Sequence, residues 1–250
     1  MSGPTTHTGR VAVVTGGARG FGAAIATELA RRGAAVAVVD RDDAAETVAG
    51  IEAAGGTALA VQADVADPDS VTAATGRILR RFGRADILVN NAGIIVAGDF
   101  FDTDYDTWRR VQAVNLDSQF LMARALAGSM RRNGWGRIVN VASNTLGLVA
   151  PHLTAYIASK GGVVGFTRGL ASDLAEYGIT VNAVAPTASR TPGGEAAITE
   201  EVLRLSARMQ AIKRVGEAGD IVGAVCFLSG DDAAFVTGQT LVVDGGWVRA

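Results

Sequence analysis

The sequence predicts an α/β fold: a doubly wound, parallel, seven-stranded sheet with helices on both faces, in a single domain. Three observations predict it. From Arg10 onward, short β-branched runs alternate with longer helical patterns, the order of parallel strands joined by crossover helices. The strand-like runs are nearly continuous in apolar residues rather than alternating, so both sheet faces need cover. Finally, 250 residues that are 48% hydrophobic and 19% charged suffice for one full core, with no Pro-rich linker to divide it.

The elements follow in order. The opening MSGPTTHTG lacks the apolar block of a secretory signal and reads as a flexible tail over residues 1 to 9, with the domain running from 10 to 250. Strands are expected at 11 to 15 (VAVVT), 35 to 40 (AVAVVD), 58 to 64 (ALAVQAD), 87 to 91 (ILVNN), 136 to 143 (GRIVNVAS), 179 to 186 (ITVNAVAP) and 240 to 244 (TLVVD). Helical patterns fall near 21 to 32, 42 to 54, 68 to 82, 104 to 132, 154 to 177 and 217 to 229. The stretch 187 to 214 departs from this rhythm, and a long excursion in a compact domain reads as a substrate lid.

Composition removes several classes of function. A net charge of −2, from 23 basic and 25 acidic residues, offers no footprint for nucleic acid or an anionic membrane. The charge-free run 138 to 159 is long enough to span a bilayer but carries Asn140, Ser143, Asn144, Thr145, Pro151 and His152. One cysteine, Cys226, forms no internal disulfide, and with His7 and His152 gives few soft ligands, so no metal site is expected and a reducing cytoplasm is the natural setting.

The first turn carries chemistry. In TGGARGFG, Gly16, Gly20 and Gly22 stand in a G-x-x-x-G-x-G spacing before a helix that begins near Phe21. Glycines there let main-chain N–H groups and a helix N-terminus meet a diphosphate; the bland alternative is an ordinary tight turn. Asp40, at the end of the second strand, can accept both hydroxyls of an adenosine ribose and repel a 2′-phosphate, which places NAD ahead of NADP. Arg19 and Arg41 pull the other way, since either guanidinium suits a 2′-phosphate.

A second constellation lies in AYIASK. Tyr156 and Lys160 are four apart and share one helix face. A tyrosine of ordinary pKa near 10 is a poor base, but a cation about 5 Å away at an effective dielectric near 20 favours the phenolate by roughly 3 kcal/mol, about two pKa units. Such a phenol can take a proton from an alcohol as hydride leaves carbon. Ser143, 13 residues earlier, can hold the reacting oxygen, and Asn115, a carboxamide inside an apolar helical pattern, can reach Lys160 through a water. Each residue alone has an ordinary structural explanation; their joint placement at strand carboxyl ends favours a site.

With these residues assembled, the chain resembles the short-chain dehydrogenase/reductase family from about Arg10 to Trp247. TGGARGFG matches the family's glycine signature, Asp64 and Val65 its adenine-side pair, Asn90 to Gly93 its NNAG, and Asn115, Ser143, Tyr156 and Lys160 its catalytic set. The resemblance implies a Rossmann-type strand order 3-2-1-4-5-6-7, a cofactor site that includes Asn91, Ala92 and Gly93, and usually a homotetramer. It also implies that Pro186, the Ser189 backbone and Thr191 hold the nicotinamide carboxamide. Thr187 replaces the family's glycine after Pro186, which leaves the local loop conformation open.

A stripe of Ala158, Gly162, Gly165 and Gly169 lies roughly 200° around the same helix from Tyr156, by about 100° per residue, and reads either as a subunit contact or as packing on the chain's own sheet. Candidate pocket walls are Ile94, Ile95 and Val96, then Thr145, Leu146, Leu148, Val149 and Leu153, and the excursion after Thr187. Being mostly apolar, they suit a small hydrophobic secondary alcohol or ketone better than a sugar. His152 could touch substrate, although a lone loop histidine is more often a solvated bystander. The wording of RRNGWGRIVNVAS and YIASKGG also resembles the family's branch of 1-phenylethanol-type alcohol dehydrogenases. The rival readings are an NADP-dependent reductase of 3-oxoacyl thioesters and a non-catalytic cofactor-binding regulator.

Overall fold

Two apolar layers sandwich one parallel sheet. The structure is a computed structural model, and it describes residues 6–191 and 198–249. The strands are β1 (Val11–Thr15), β2 (Ala35–Asp40), β3 (Thr57–Gln62), β4 (Ile87–Asn90), β5 (Gly136–Val141), β6 (Ile179–Pro186), β7 (Ser189–Arg190), β8 (Gly216–Glu217) and β9 (Thr240–Val243). Seven of them form the main sheet in the order β3-β2-β1-β4-β5-β6-β9, all parallel, as expected, while β7 and β8 form a separate two-stranded ribbon.

The helices are α1 (Gly20–Arg31), α2 (Ala45–Ala53), α3 (Pro68–Phe82), α4 (Tyr105–Gln112), α5 (Ser118–Asn133), α6 (Thr154–Leu174), α7 (Glu200–Met209) and α8 (Val222–Leu228). Ala12 and Val14 of β1 pack with Ile25 and Leu29 of α1, Ile51 of α2 and Val225 of α8. Val13, between them, faces the opposite layer of Ile78 from α3, Met122 and Leu126 from α5, and Ala171 from α6. That alternation is why VAVVT is apolar throughout.

Boundaries moved where side chains terminate elements. Helix α3 begins and ends as predicted, because Asp67 caps the Asp69 N–H, Pro68 opens the first turn and Gly83 closes the helix in the left-handed region at φ 75°. Helix α2 starts three residues later than expected, where the Asp43 carboxylate accepts from Ala45 N. Strand β3 stops at Gln62 and β5 at Val141, so Asp64 and Ser143 sit in the turns beyond their strands. The single helix predicted over 104 to 132 is broken by a π-helical turn, Ala113–Asp117.

Two further expectations change. His7 is buried, its Nε2 3.0 Å from Ser229 Oγ, and its backbone N–H donates to Arg32 O. His7 is therefore anchored to the chain segments that follow α1 and α8, within the stretch read from the sequence as a tail. The excursion 187 to 214 contains β7 and the amphipathic α7, whose Leu203 and Ser206 are buried, while the part of it at 192–197 lies outside the described residues. Arg190 forks onto Glu200, tying β7 to the first turn of α7. Among the described residues no helix is long and apolar enough to cross a membrane.

Candidate active site

The carboxyl ends of β1, β4, β5 and β6 lie side by side along one edge of the parallel sheet, the position at which open α/β sheets bind ligands. At β1 the chain turns into α1 through Gly16 (φ 63°). A Cβ at Gly22 would collide with the Gly16 carbonyl oxygen, so this turn closes only with glycine there. The N-cap residue Arg19 makes no side-chain capping bond and the first turn of α1 holds no acid. The N–H groups at this helix end are thus left for an anion, with the helix dipole in their favour.

Asn91 and Thr15 brace the turn from β4. The Asn91 carboxamide donates to Thr15 O (2.9 Å) and Gly16 O (3.0 Å), while Thr15 Oγ1 accepts from the N–H groups of Asn91 and Ala92. Thr191 comes within reach on the other side, its Cβ 3.5 Å from where a side chain at Gly20 would begin. The structure therefore brings Gly16, Gly20, Gly22, Asn91, Ala92 and Thr191 together, with Phe21 packed partly into the core beneath them. Thr15 was not singled out from the sequence. As a threonine at a strand end it carried no signal distinguishing it from β-propensity.

Asp40 has a structural task besides the one expected of it. Its two oxygens accept from Ala18 N (2.9 Å) and Asp42 N (3.0 Å), holding the glycine turn to the end of β2. A carboxylate has about four acceptor positions, so room for ribose hydroxyls remains. Arg19 pairs with Asp42 at 3.2 Å, and Arg41 approaches the same carboxylate at 3.9 Å. Asp64 is exposed, with its Oδ1 accepting from Ala66 N, and Val65 beside it is buried. Pro186 ends β6; Ser189 is buried in β7, its Oγ donating to Thr187 O.

The ammonium of Lys160 is almost wholly buried and donates to Val141 O at 2.7 Å, the last residue of β5. It lies 5.7 Å from the centre of the Tyr156 ring. Burial pulls its pKa down to about 8. A side chain at Gly93 would intrude here, its Cβ 3.6 Å from Lys160 Nζ and 3.3 Å from Asn115 Oδ1, so the glycine keeps a space open beside both groups.

Asn115 sits in the π-helical turn, fully buried. Its Oδ1 accepts from Ile94 N (2.8 Å), and its Nδ2 donates to Ile94 O (3.0 Å) and Ser159 Oγ (3.0 Å). Ser159 in turn donates to Tyr156 O at 2.6 Å. The carboxamide thus fixes the loop beginning at Ile94, and with it Ile95, to the helix that carries Tyr156. Ser159 was missed from the sequence although it lies inside AYIASK; a serine on the buried side of a helix was the available signal.

Ser143 Oγ accepts from Thr145 N (3.2 Å) and Thr145 Oγ1 (2.9 Å). A hydroxyl has two acceptor positions and one donor, so its hydrogen remains for a reacting oxygen. Thr145 is half-buried, Leu146 is exposed on the short helical turn Asn144–Gly147, and Leu153 stands half-buried at the start of α6. Val149 stands fully exposed. His152 is exposed and is the single non-glycine residue with positive φ (65°) among the described residues.

The residues present fit a nicotinamide dinucleotide: an uncapped helix end behind a glycine turn, a carboxylate at the β2 end, and a side-chain-free space beside Lys160. A family model described as enoyl-(acyl carrier protein) reductase matches residues 16–248. A versicolorin reductase of Emericella nidulans is 40% identical over 96% of each chain. The 3-oxoacyl-[acyl-carrier-protein] reductase of Haemophilus influenzae is 38% identical over 95% of this chain and 98% of its own. A blue fluorescent protein from a metagenomic library, solved with NADPH, superposes with a TM-score of 0.91 at 39% identity, covering 98% of this chain and all of its own.

Proposed function

The chain belongs to the short-chain dehydrogenase/reductase family, oxidoreductases acting on CH–OH with a nicotinamide cofactor, and on that premise we propose that it uses NAD(H) to interconvert a hydrophobic secondary alcohol and its ketone, with Tyr156 as general acid and base. The observation that carries this reading is the buried Lys160 ammonium, pinned by Val141 O beside the Tyr156 ring.

A nicotinamide dinucleotide bound in the cleft supplies or accepts the hydride. The N–H groups of the glycine turn, from Gly16 through Arg19 and Gly20 to Phe21 and Gly22, would hold its diphosphate, and Asp40 its adenosine ribose. Asp64 and Val65 would border the adenine, Asn91 to Gly93 would floor the cleft, and Pro186, Ser189 and Thr191 would take the carboxamide. Tyr156 and Lys160 would reach the nicotinamide ribose.

In the oxidative direction the Tyr156 oxygen takes the alcohol proton, and in reduction it returns that proton to the ketone oxygen. Lys160 favours the phenolate through its charge, as the Coulomb estimate above requires. Ser143 donates its free hydrogen to the reacting oxygen. Asn115 keeps the Ile94 loop and the Tyr156 helix in register, so that Ile95, Thr145, Leu146 and Leu153 form an apolar wall for the substrate. The carboxylate of Asp40 faces the adenosine side, which favours NAD through repulsion of a 2′-phosphate.

A second reading, an NADP(H)-dependent reductase of 3-oxoacyl thioesters, draws on the Haemophilus relative and on Arg19. Its ion pair with Asp42 is exposed, and such a pair is weak enough to yield the guanidinium to a phosphate. The deciding experiment is turnover of aryl and alkyl ketones, acetoacetyl thioesters and sugars with NADH and with NADPH, followed by nicotinamide absorbance. Aryl or alkyl ketones with NADH are the expected pair; preference for an acetoacetyl thioester with NADPH would replace the first reading by the second. Tyr156→Phe should lower kcat by at least about 100-fold while leaving NADH binding intact; unchanged turnover would remove Tyr156 from the chemistry.

A further inference from the structure

The turn after β9 is tied to the loop that carries Ser143, and one buried carboxylate makes the connection. Asp244 is 3% exposed. Its Oδ1 accepts from Gly246 N (3.0 Å) and Trp247 N (3.1 Å), and its Oδ2 from Val248 N (2.8 Å) and from the side chain of Asn144 (3.2 Å). Asn144, itself buried, follows Ser143 directly and opens the short helical turn that holds Thr145 and Leu146. The far end of that turn is covered by the same segment: a Cβ at Gly147 would lie 2.6 Å from Val248 Cγ1. The segment also touches the end of the 187 to 214 excursion, for Ile212 N donates to Gly245 O at 2.9 Å and a Cβ at Gly246 would lie 3.1 Å from Ala211 Cβ.

We propose that Asp244 is a positioning residue for the reaction: by gathering three N–H groups of its own turn and the Asn144 amide, it fixes the Ser143 loop and couples that loop to the segment following α7. This rests on the activity proposed above for the same cleft. Ser143 reaches the substrate oxygen only if its loop is held to within a fraction of an ångström, and displacement of about 1 Å can lower rate by about 100-fold. Among the described residues Asp244 is the one hydrogen-bond partner of Asn144 Nδ2, so loss of the carboxylate frees the side chain at the start of the helical turn.

Asp244→Ala removes the acceptors of Gly246 N, Trp247 N, Val248 N and the Asn144 amide together, whereas an asparagine at this position would keep the link through a flipped Asn144 carboxamide. The expected results are a fall in kcat for ketone reduction of about tenfold or more, an NADH dissociation constant within about twofold of wild type, and faster amide hydrogen exchange over 143–148. Asn144→Ala should reproduce the kcat loss without touching the 244–248 turn, and the double variant should lose little more than either single one, as residues acting through one bond do. Unchanged kcat with lowered thermal stability, additive losses, or unchanged exchange over 143–148 would each overturn the proposal. If wild-type protein reduces no ketone, the proposed activity fails, and the exchange measurement still decides whether Asp244 holds the loop.

Discussion

Lys160 answers two opposed demands at once. It must be charged to acidify Tyr156, yet it sits where charge is penalised, and burial brings its pKa to about 8. At pH 7 the ammonium still predominates, held by the Val141 carbonyl, and above about 8 its field fades. The folded value lies below the ordinary 10.5, so the unfolded chain binds a proton that the native chain releases between about 8 and 10.5. Stability from this group therefore rises with pH across that window. Lys160→Met should flatten that rise in denaturant titrations. It should also move the ascending limb of the pH–rate profile for alcohol oxidation upward; a limb that stays in place would assign the acidification of Tyr156 to another group.

Elements show where reading the chain succeeded and where it did not. The main sheet was legible because its strands are short, β-branched and apolar on both faces, and the order followed from the resemblance. Helix α3 was legible to the residue because Asp67, Pro68 and Gly83 each state their position in local chemistry. The π-helical turn at Asn115 was not, since its cause is tertiary: the carboxamide satisfies both backbone groups of Ile94 and the Ser159 hydroxyl, and no local pattern encodes that. His7 was hidden in the same way, its burial depending on Ser229, 222 residues away. Burial first, then Arg32, lowers its pKa from 6.5, with Arg10 adding to this and Asp231 and Glu28 opposing. The unfolded chain protonates His7 below about 6.5 while the native chain resists, so its contribution is present above that pH and is lost as pH falls. His7→Gln should reduce the drop in thermal midpoint between pH 7 and 5; an identical drop would mean that other groups govern it.

At the scale of the whole molecule, one face of α5 and α6 is left without cover by the described residues of its own chain. The stripe expected on α6 splits: a Cβ at Gly162 would meet Leu116 Cδ2 at 2.6 Å, which is packing within the chain, whereas Gly165 and Gly169 have nothing within 4 Å. The sheet side of the same helix is Val163, Thr167 and Ala171, all buried, so the two open glycines point elsewhere. Beside them a groove of about 220 Å³ runs between α5 and α6, lined by Phe120, Phe166, Leu170 and Leu174. Helix glycines are each about 1 kcal/mol less favourable than alanine, a disadvantage offset if another backbone packs closely on them. We propose that a second copy of the chain covers this face in a homotetramer. Light scattering at micromolar concentration should give a mass near four times 25.6 kDa. Phe120, 54% exposed, contributes little to the monomer's own core, so Phe120→Glu should split the assembly into smaller species while the circular dichroism of the fold persists. A monomeric wild type, or a Phe120→Glu variant of undiminished mass, would mean that this face is not the contact.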